Sequence, residues 1–154
     1  MKNYEHKTGL TLVEMLIVVA IIVILTTLVI GIATRIDDQS KEQLTENTMA
    51  MLESALQEYY EYWKSFPDPN QPPYLTHSAA LYGQLQSTLS SRKILDKISD
   101  SLIKSNPLAV NMLEIYDPWE TALDYRYVPS NNFPELISAG PDNNFGTADD
   151  ISSR

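Results

Sequence analysis

Apolar residues are spread along this chain in three ways. Between Leu10 and Ala33 they are almost uninterrupted, LTLVEMLIVVAIIVILTTLVIGIA, and Glu14 is the one charged residue among 24. A run of that length and composition is enough to cross a bilayer core as a helix. Beyond Arg35 the chain turns polar but keeps helical period. Leu44, Met51, Leu52, Ala55, Leu56, Tyr59 and Trp63 recur at spacings of three, four and seven, while Glu42, Glu46, Glu53, Glu58 and Glu61 take other faces. That pattern predicts an amphipathic helix burying one stripe. No proline precedes Pro67, so one helix from Leu10 to about Lys64 is expected, stopped by Phe66-Pro67-Asp68-Pro69-Asn70-Gln71-Pro72-Pro73.

The rest of the chain is patterned in short pieces. Ala79, Leu81, Leu85 and Leu89 predict one short helix. Ile94, Leu95, Ile98, Leu102 and Ile103 predict another, closed by Asn106-Pro107. Then Leu113–Tyr116, Tyr125–Val128 and Glu135–Ser138 are partly alternating and rich in β-branched and aromatic residues, with turns at Asp117-Pro118, Pro129-Ser130-Asn131-Asn132 and Gly140-Pro141. Three antiparallel strands are the natural reading. A long helix laid on such a sheet is an α+β arrangement.

Glu14 is the first candidate for function, because a carboxylate inside an apolar span is costly and marks a functional position by default. On hydropathy alone, an ordinary anchor whose carboxylate reaches the headgroups is an equal reading. The preceding segment, MKNYEHKTG, ends in a small residue. A secretory signal peptide is cut after its apolar stretch; here the small-residue boundary, Gly9-Leu10, lies before it. A cut there keeps the apolar run and leaves 145 residues with Glu14 fifth. Lys2 and Lys7 precede the run while Asp37 and Asp38 follow it, which puts the leader in the cytoplasm and the body outside. The expected organisation is a cleaved leader (1–9), a transmembrane helix (10–34), which the resemblance given below also makes the assembly helix, and an extracytoplasmic globular domain (35–154).

Composition removes several functions. The net charge is −9, and an acidic domain binds nucleic acid poorly because phosphate neutralisation needs clustered Lys and Arg. There is no cysteine, so no disulfide fixes the loops. His6 and His77 stand alone, with no partner in sequence that suggests zinc or a triad. No nucleophile constellation supports an enzyme.

The segment Asp142–Asp150 crowds three Asp and two Asn into nine residues. Hard oxygen ligands on such a loop suit Ca²⁺, although Gly146 and Ser153 fall where an EF-hand loop would not place them. A solvated Asp/Asn/Gly turn is the competing reading.

Gly9, Leu10, Thr11, Leu12 and Glu14 match, position by position, the N-terminal pattern of type IV prepilins: Gly, cut, hydrophobic residue, Thr, Leu, any residue, Glu. Phe66-Pro67, Tyr116-Asp117-Pro118-Trp119, Tyr125-Arg126-Tyr127, Ser138-Ala139-Gly140-Pro141-Asp142 and Asp149-Asp150-Ile151 resemble the major (G-type) pseudopilin of type II secretion systems. The resemblance implies a pilin-like fold, cleavage after Gly9 by a prepilin peptidase and methylation of the new amine on Leu10. It implies assembly into a helical filament on an inner-membrane platform with minor pseudopilins, to drive protein secretion. Glu14 would then pair with a neighbour's Leu10 amine. It also implies calcium on Asp142, Asp149 and Asp150, with backbone carbonyls of Ala139 and Thr147 as further ligands. Three departures stand out. Residues 74–112 do not follow the family, Glu120 stands where Gly usually follows Asp-Pro-Trp, and Gly31 stands where many members carry Pro. A type IV pilin or competence-type pilin of a surface filament shares the N-terminal pattern, but the lack of Cys and the acidic balance favour the pseudopilin.

Overall fold

The computed structural model describes residues 11–69, 76–107 and 109–154, with the side chains of 28–35, 109 and 110 left aside. Two compact units are defined, Met1–Asp38 and Gln39–Arg154. Helix α1 (Leu12–Trp63, 52 residues) contributes to both, matching the expected helix within its described part. Gly31 lies inside it. Gly9 and Leu10 lie outside the described residues.

In the first unit α1 carries Leu12, Val13, Leu16, Ile17, Ile22 and Ile24 exposed. Thr26 and Thr27 hide their hydroxyls by donating to the carbonyls of Ile22 (2.6 Å) and Ile24 (2.8 Å), which lets polar residues sit in an apolar stretch. Among the described residues, no helix is long and apolar enough to cross a membrane. The expected span begins at Leu10 and includes 28–35, so it lies partly outside the described residues.

In the second unit α1 supplies Met49, Leu52, Ala55 and Leu56 to the core, with Leu44, Met51 and Tyr59 at its margin. Trp63, assigned to the stripe by its spacing, is 52% exposed; it stacks edge-on against Tyr62 instead, at 5.1 Å. Thr45 and Thr48 are buried, which hydropathy did not indicate. Both back-bond to α1 carbonyls, at Lys41 (2.9 Å) and Leu44 (2.7 Å), so no hydroxyl is left bare. The helix stops where Lys64 turns left-handed, with φ +56°. Beyond it the Tyr125 hydroxyl donates to the Pro67 carbonyl (2.9 Å).

Helices α2 (His77–Leu85) and α3 (Leu89–Leu95) follow, each started by a Thr cap: Thr76 accepts from the Ala79 amide and Thr88 from the Ser91 amide. Leu89, assigned to the first helix, opens the second and is exposed. The second helix ends at Leu95, earlier than its apolar spacing predicts. Ile98 and Leu102 still reach the core, but through a 3₁₀ turn (Asp100–Leu102). Ile103 then starts a strand, β1 (Ile103–Asn106), antiparallel to β2 (Ala109–Ile115). Asn106-Pro107, read as a helix stop, opens this hairpin. The expected single sheet is therefore two. The second sheet has the order β3-β4-β5, with β3 Asp124–Arg126, β4 Glu135–Ser138 and β5 Ile151–Ser152, and a lone bridge joins Tyr116 to Ala122. The α+β expectation holds: a long N-terminal helix packs on small antiparallel sheets, as in a pilin-like fold. Core residues Leu81, Leu85, Ile115, Tyr125 and Leu136 meet α1 from α2 and both sheets.

One buried polar cluster ties the β1–β2 hairpin to the start of α2. Glu114, 1% exposed, accepts from the Thr76 hydroxyl, from Asn106 Nδ2 (3.1 Å) and from the Tyr116 hydroxyl (3.2 Å). Three donors answer a carboxylate that would otherwise be expensive to bury.

Candidate assembly and loop sites

The start of α1 is a reciprocal cap. Glu14 Oε2 accepts from the Thr11 amide (2.7 Å) and the Thr11 hydroxyl (2.8 Å), and the Glu14 amide donates to Thr11 Oγ1 (3.3 Å). This is a capping box, Thr-x-x-Glu. Its spacing stands in Thr11-Leu12-Val13-Glu14, and hydropathy carries no signal for it. The positive end of the helix dipole adds to it. Glu14 is thus satisfied within its own turn, and among the described residues every hydrogen bond to it falls on one oxygen. Chemically, the arrangement holds a carboxylate at a fixed position on the helix start, with the second oxygen open to a cation.

The C-terminal loop hangs on Asp117. This buried carboxylate accepts from the amides of Trp119 (3.0 Å) and Thr121 (2.8 Å) on one oxygen and from the Ser138 hydroxyl (2.6 Å) on the other. Ser138 in turn accepts from the Gly140 amide (3.1 Å), and Thr121 donates to Asn143 Oδ1 (2.7 Å). The Asp-Pro-Trp turn thereby braces both ends of Gly140–Asn143. Composition gave no hint of this role for Asp117; the signal available was an Asp before a Pro, a turn former that bonds its own following backbone. Gly140 has φ +65°, and a Cβ there would stand 2.2 Å from the Asp149 carbonyl oxygen, so only glycine fits.

Asp142, Asp149 and Asp150 all lie in this loop, and each answers backbone amides. Asp142 Oδ1 accepts from the Asn144 amide (2.7 Å), Asp149 Oδ2 from the Asp142 amide (3.0 Å) and Asp150 Oδ2 from the Gly146 amide (2.8 Å). The Thr147 hydroxyl donates to Asp149 Oδ1 (2.6 Å), and chiefly for that reason the Asp149 carboxyl is held below the ordinary Asp range. Ala139 is fully buried at the end of β4, and Thr147 is exposed. Among the described residues, no group of three or more His, Cys, Asp or Glu is gathered to hold a metal. One observation fits a cation nonetheless: among the described residues, Asp150 Oδ1 is buried without a hydrogen-bond partner, and an orphaned carboxylate oxygen calls for a positive neighbour. The donor set is all hard oxygen, as calcium prefers.

His77 is not alone. Its Nδ1 is 2.8 Å from Asp124 Oδ1, and Asp124 Oδ2 accepts from Arg126 Nε (2.6 Å). Sequence distance hid a pairing that joins α2 to β3.

Residues 6–30 match the Prokaryotic N-terminal methylation motif. Neither a curated protein nor a solved structure matches the chain. The matched segment contains Gly9, Leu10, Thr11 and Glu14, so the boundary before the apolar run is a prepilin-like leader, of the kind that a prepilin peptidase processes ahead of pilus assembly. The family carrying that motif is structural rather than enzymatic. With its long helix and small sheets, the chain is supported as a type IV pilin-like subunit.

Proposed function

We propose that this chain is a structural subunit of a type II secretion pseudopilus, of the major pseudopilin kind. The observation that carries the reading is the methylation motif ending in a helix whose first turn holds Glu14 on a reciprocal cap. The chain is inserted in the inner membrane with its body on the periplasmic side and is cut after Gly9. The new amine on Leu10 is methylated. Subunits stack through residues 10–34 on an assembly platform with minor pseudopilins. A neighbour's cationic Leu10 amine meets the open oxygen of Glu14. A charge pair buried among helices fixes axial register, a role for which buried polar groups are well attested. The lack of cysteine and the acidic body support a pseudopilin over a surface pilin.

The C-terminal loop is proposed to hold Ca²⁺ through Asp142, Asp149 and Asp150, with the carbonyls of Ala139 and Thr147. Bound there, the ion would supply positive charge to the three carboxylates of one loop and cross-link a loop that no disulfide holds.

Mass spectrometry of the mature protein tests the processing: the chain should begin at N-methylated Leu10, and Gly9→Val should leave the full precursor in the membrane. Glu14→Ala should be inserted and cut, yet form no filament. Normal filaments from that variant would refute the register role. Deleting the gene should trap secreted proteins in the periplasm; intact secretion with loss of surface fibres would replace the pseudopilin reading with that of a pilin.

A further inference from the structure

Asp117 is 3% exposed, and among the described residues it makes no ion pair. A buried carboxylate is costly unless its oxygens are filled. Here the amides of Trp119 and Thr121 fill one oxygen and the Ser138 hydroxyl the other. Occupied in this way, Asp117 is placed to hold rather than to ligate. The backbone closes the same turn independently, with the Asp117 amide donating to the Thr121 carbonyl at 2.8 Å. The side chain is therefore spent on what lies beyond the turn.

Two arms lead from it to the C-terminal loop. Through Ser138, fully buried on β4, it reaches the Gly140 amide (3.1 Å). Through Thr121, whose hydroxyl donates to Asn143 Oδ1 (2.7 Å), it reaches Asn143. Both ends of Ser138–Asn143 are thus fixed to one carboxylate, and Ala139 and Asp142 lie between them. The far side of the loop is set against this stretch. Gly140 is so close to Asp149 that a Cβ would stand 2.2 Å from the Asp149 carbonyl oxygen, and the Asp142 amide donates to Asp149 Oδ2 (3.0 Å).

We propose that Asp117, acting through Ser138 and Thr121, is the positioning residue of the calcium loop: it sets the loop's affinity for Ca²⁺ without touching the ion. The inference rests on the calcium reading above. The Ala139 carbonyl and Asp142 sit on the stretch that Asp117 fixes, while Thr147, Asp149 and Asp150 come from the far side of the loop. The brace decides whether the two sides stand where one ion can meet both. Groups that orient metal ligands from behind govern affinity in this way, and losing one costs on the order of 10- to 100-fold.

Calcium alone, titrated into the full-length chain in detergent and followed by calorimetry, tests this. Ser138→Ala and Thr121→Val each cut one arm and remove neither a charge nor a proposed ligand side chain. Each should weaken calcium binding at least about tenfold. Thr121→Ser keeps the hydroxyl that reaches Asn143 and should bind calcium as the parent does. Melting in chelator separates position from bulk stability: Thr121→Val and Thr121→Ser should melt alike there and part only in calcium. A merely structural role would move the melting points in chelator and leave the affinity alone. Parental affinity in either Ser138→Ala or Thr121→Val, or equal weakening in Thr121→Val and Thr121→Ser, overturns the positioning role while the calcium reading stands. If Ser138→Ala does not fold, the two Thr121 variants decide. No binding heat from the parent overturns both.

Discussion

Glu120 sits where a side chain is unwelcome. Its φ is +72°, in the left-handed region that costs a residue with a Cβ about 1–2 kcal/mol. The resemblance to pseudopilins expects glycine there, and the backbone angle supplies the reason. In return Glu120 makes an ion pair with Lys104 at 2.9 Å, but it is largely exposed, and such pairs contribute about 0–1 kcal/mol. Glu120→Gly relieves the strain, offset by the larger entropy of a glycine in the unfolded chain. A net gain of about 0.5 kcal/mol is expected, visible as a melting point higher by about 2–4 °C. A melting point unchanged or lowered would mean that the turn is already relaxed. Gly140→Ala makes the converse test at the other end of the same brace. Its Cβ would meet Asp149 backbone, so the loop should be disrupted and the protein destabilised by at least about 1–2 kcal/mol. Residue identity was readable at these positions, but backbone angle was not. A glycine in a loop announces freedom without saying which rotation is used, and a glutamate announces nothing.

At the level of elements, the long stripe of α1 and the strand at Glu135–Ser138 were legible, whereas the stretch from Ile94 to Ile103 was not. The stripe of α1 repeats over many turns, so Leu52, Ala55 and Leu56 could be placed in the core without knowing what covers them. Residues 94–103 show helical spacing too, yet Ile103 pairs with Ile115 across a ladder. A short apolar run satisfies either period, and the partner strand decides. The caps, Thr11 with Glu14 and Thr76 and Thr88 before their helices, are not singled out by the apolar pattern, which carries no signal for a hydroxyl at a helix start. The C-terminal loop was legible as an acidic turn; its brace at Asp117 was not, because Ser138 lies 21 residues away. Within that loop the Asp149–Thr147 bond makes a prediction about pH. A carboxyl whose folded-state pKa is depressed adds stability that is present above its unfolded value of about 4 and is lost as pH falls through the folded value. The Asp142 amide, which donates to Asp149, should therefore exchange faster with solvent under acid conditions than at neutral pH. In Thr147→Val the depression should shrink and the loosening should begin at higher pH. Amide exchange and a carboxyl titration by NMR read both, and identical titrations in the two proteins would show that the hydroxyl does not set this carboxyl's acidity.

At the level of the molecule, the proposed ion and the proposed filament act on different units. Calcium would stabilise Gln39–Arg154 and leave Met1–Asp38 untouched. A fragment covering Gln39–Arg154 should melt higher in calcium than in chelator, by about 2.7 kcal/mol at free calcium near 100 times Kd, or on the order of 10 °C. Asp150→Asn should remove most of the difference, because it takes charge from a carboxylate that has, among the described residues, an orphaned buried oxygen. Coincident melting curves would return the loop to a solvated turn and leave the methylation motif to carry the functional reading.

The chain's two tryptophans stand in unlike surroundings within the same unit. Trp63 is half exposed at the end of α1, with Tyr59 and Tyr62 rings 6.4 and 5.1 Å away. Trp119 is partly buried on the Asp117 turn, its indole nitrogen without a hydrogen-bond partner among the described residues. Their fluorescence is therefore separable. Trp63 should emit as a solvated indole that collects energy from neighbouring tyrosines, and Trp119 as a bluer, apolar one. With Trp63→Phe, the remaining emission becomes an optical gauge of the turn that braces the loop, readable without label in membranes and assembled material alike.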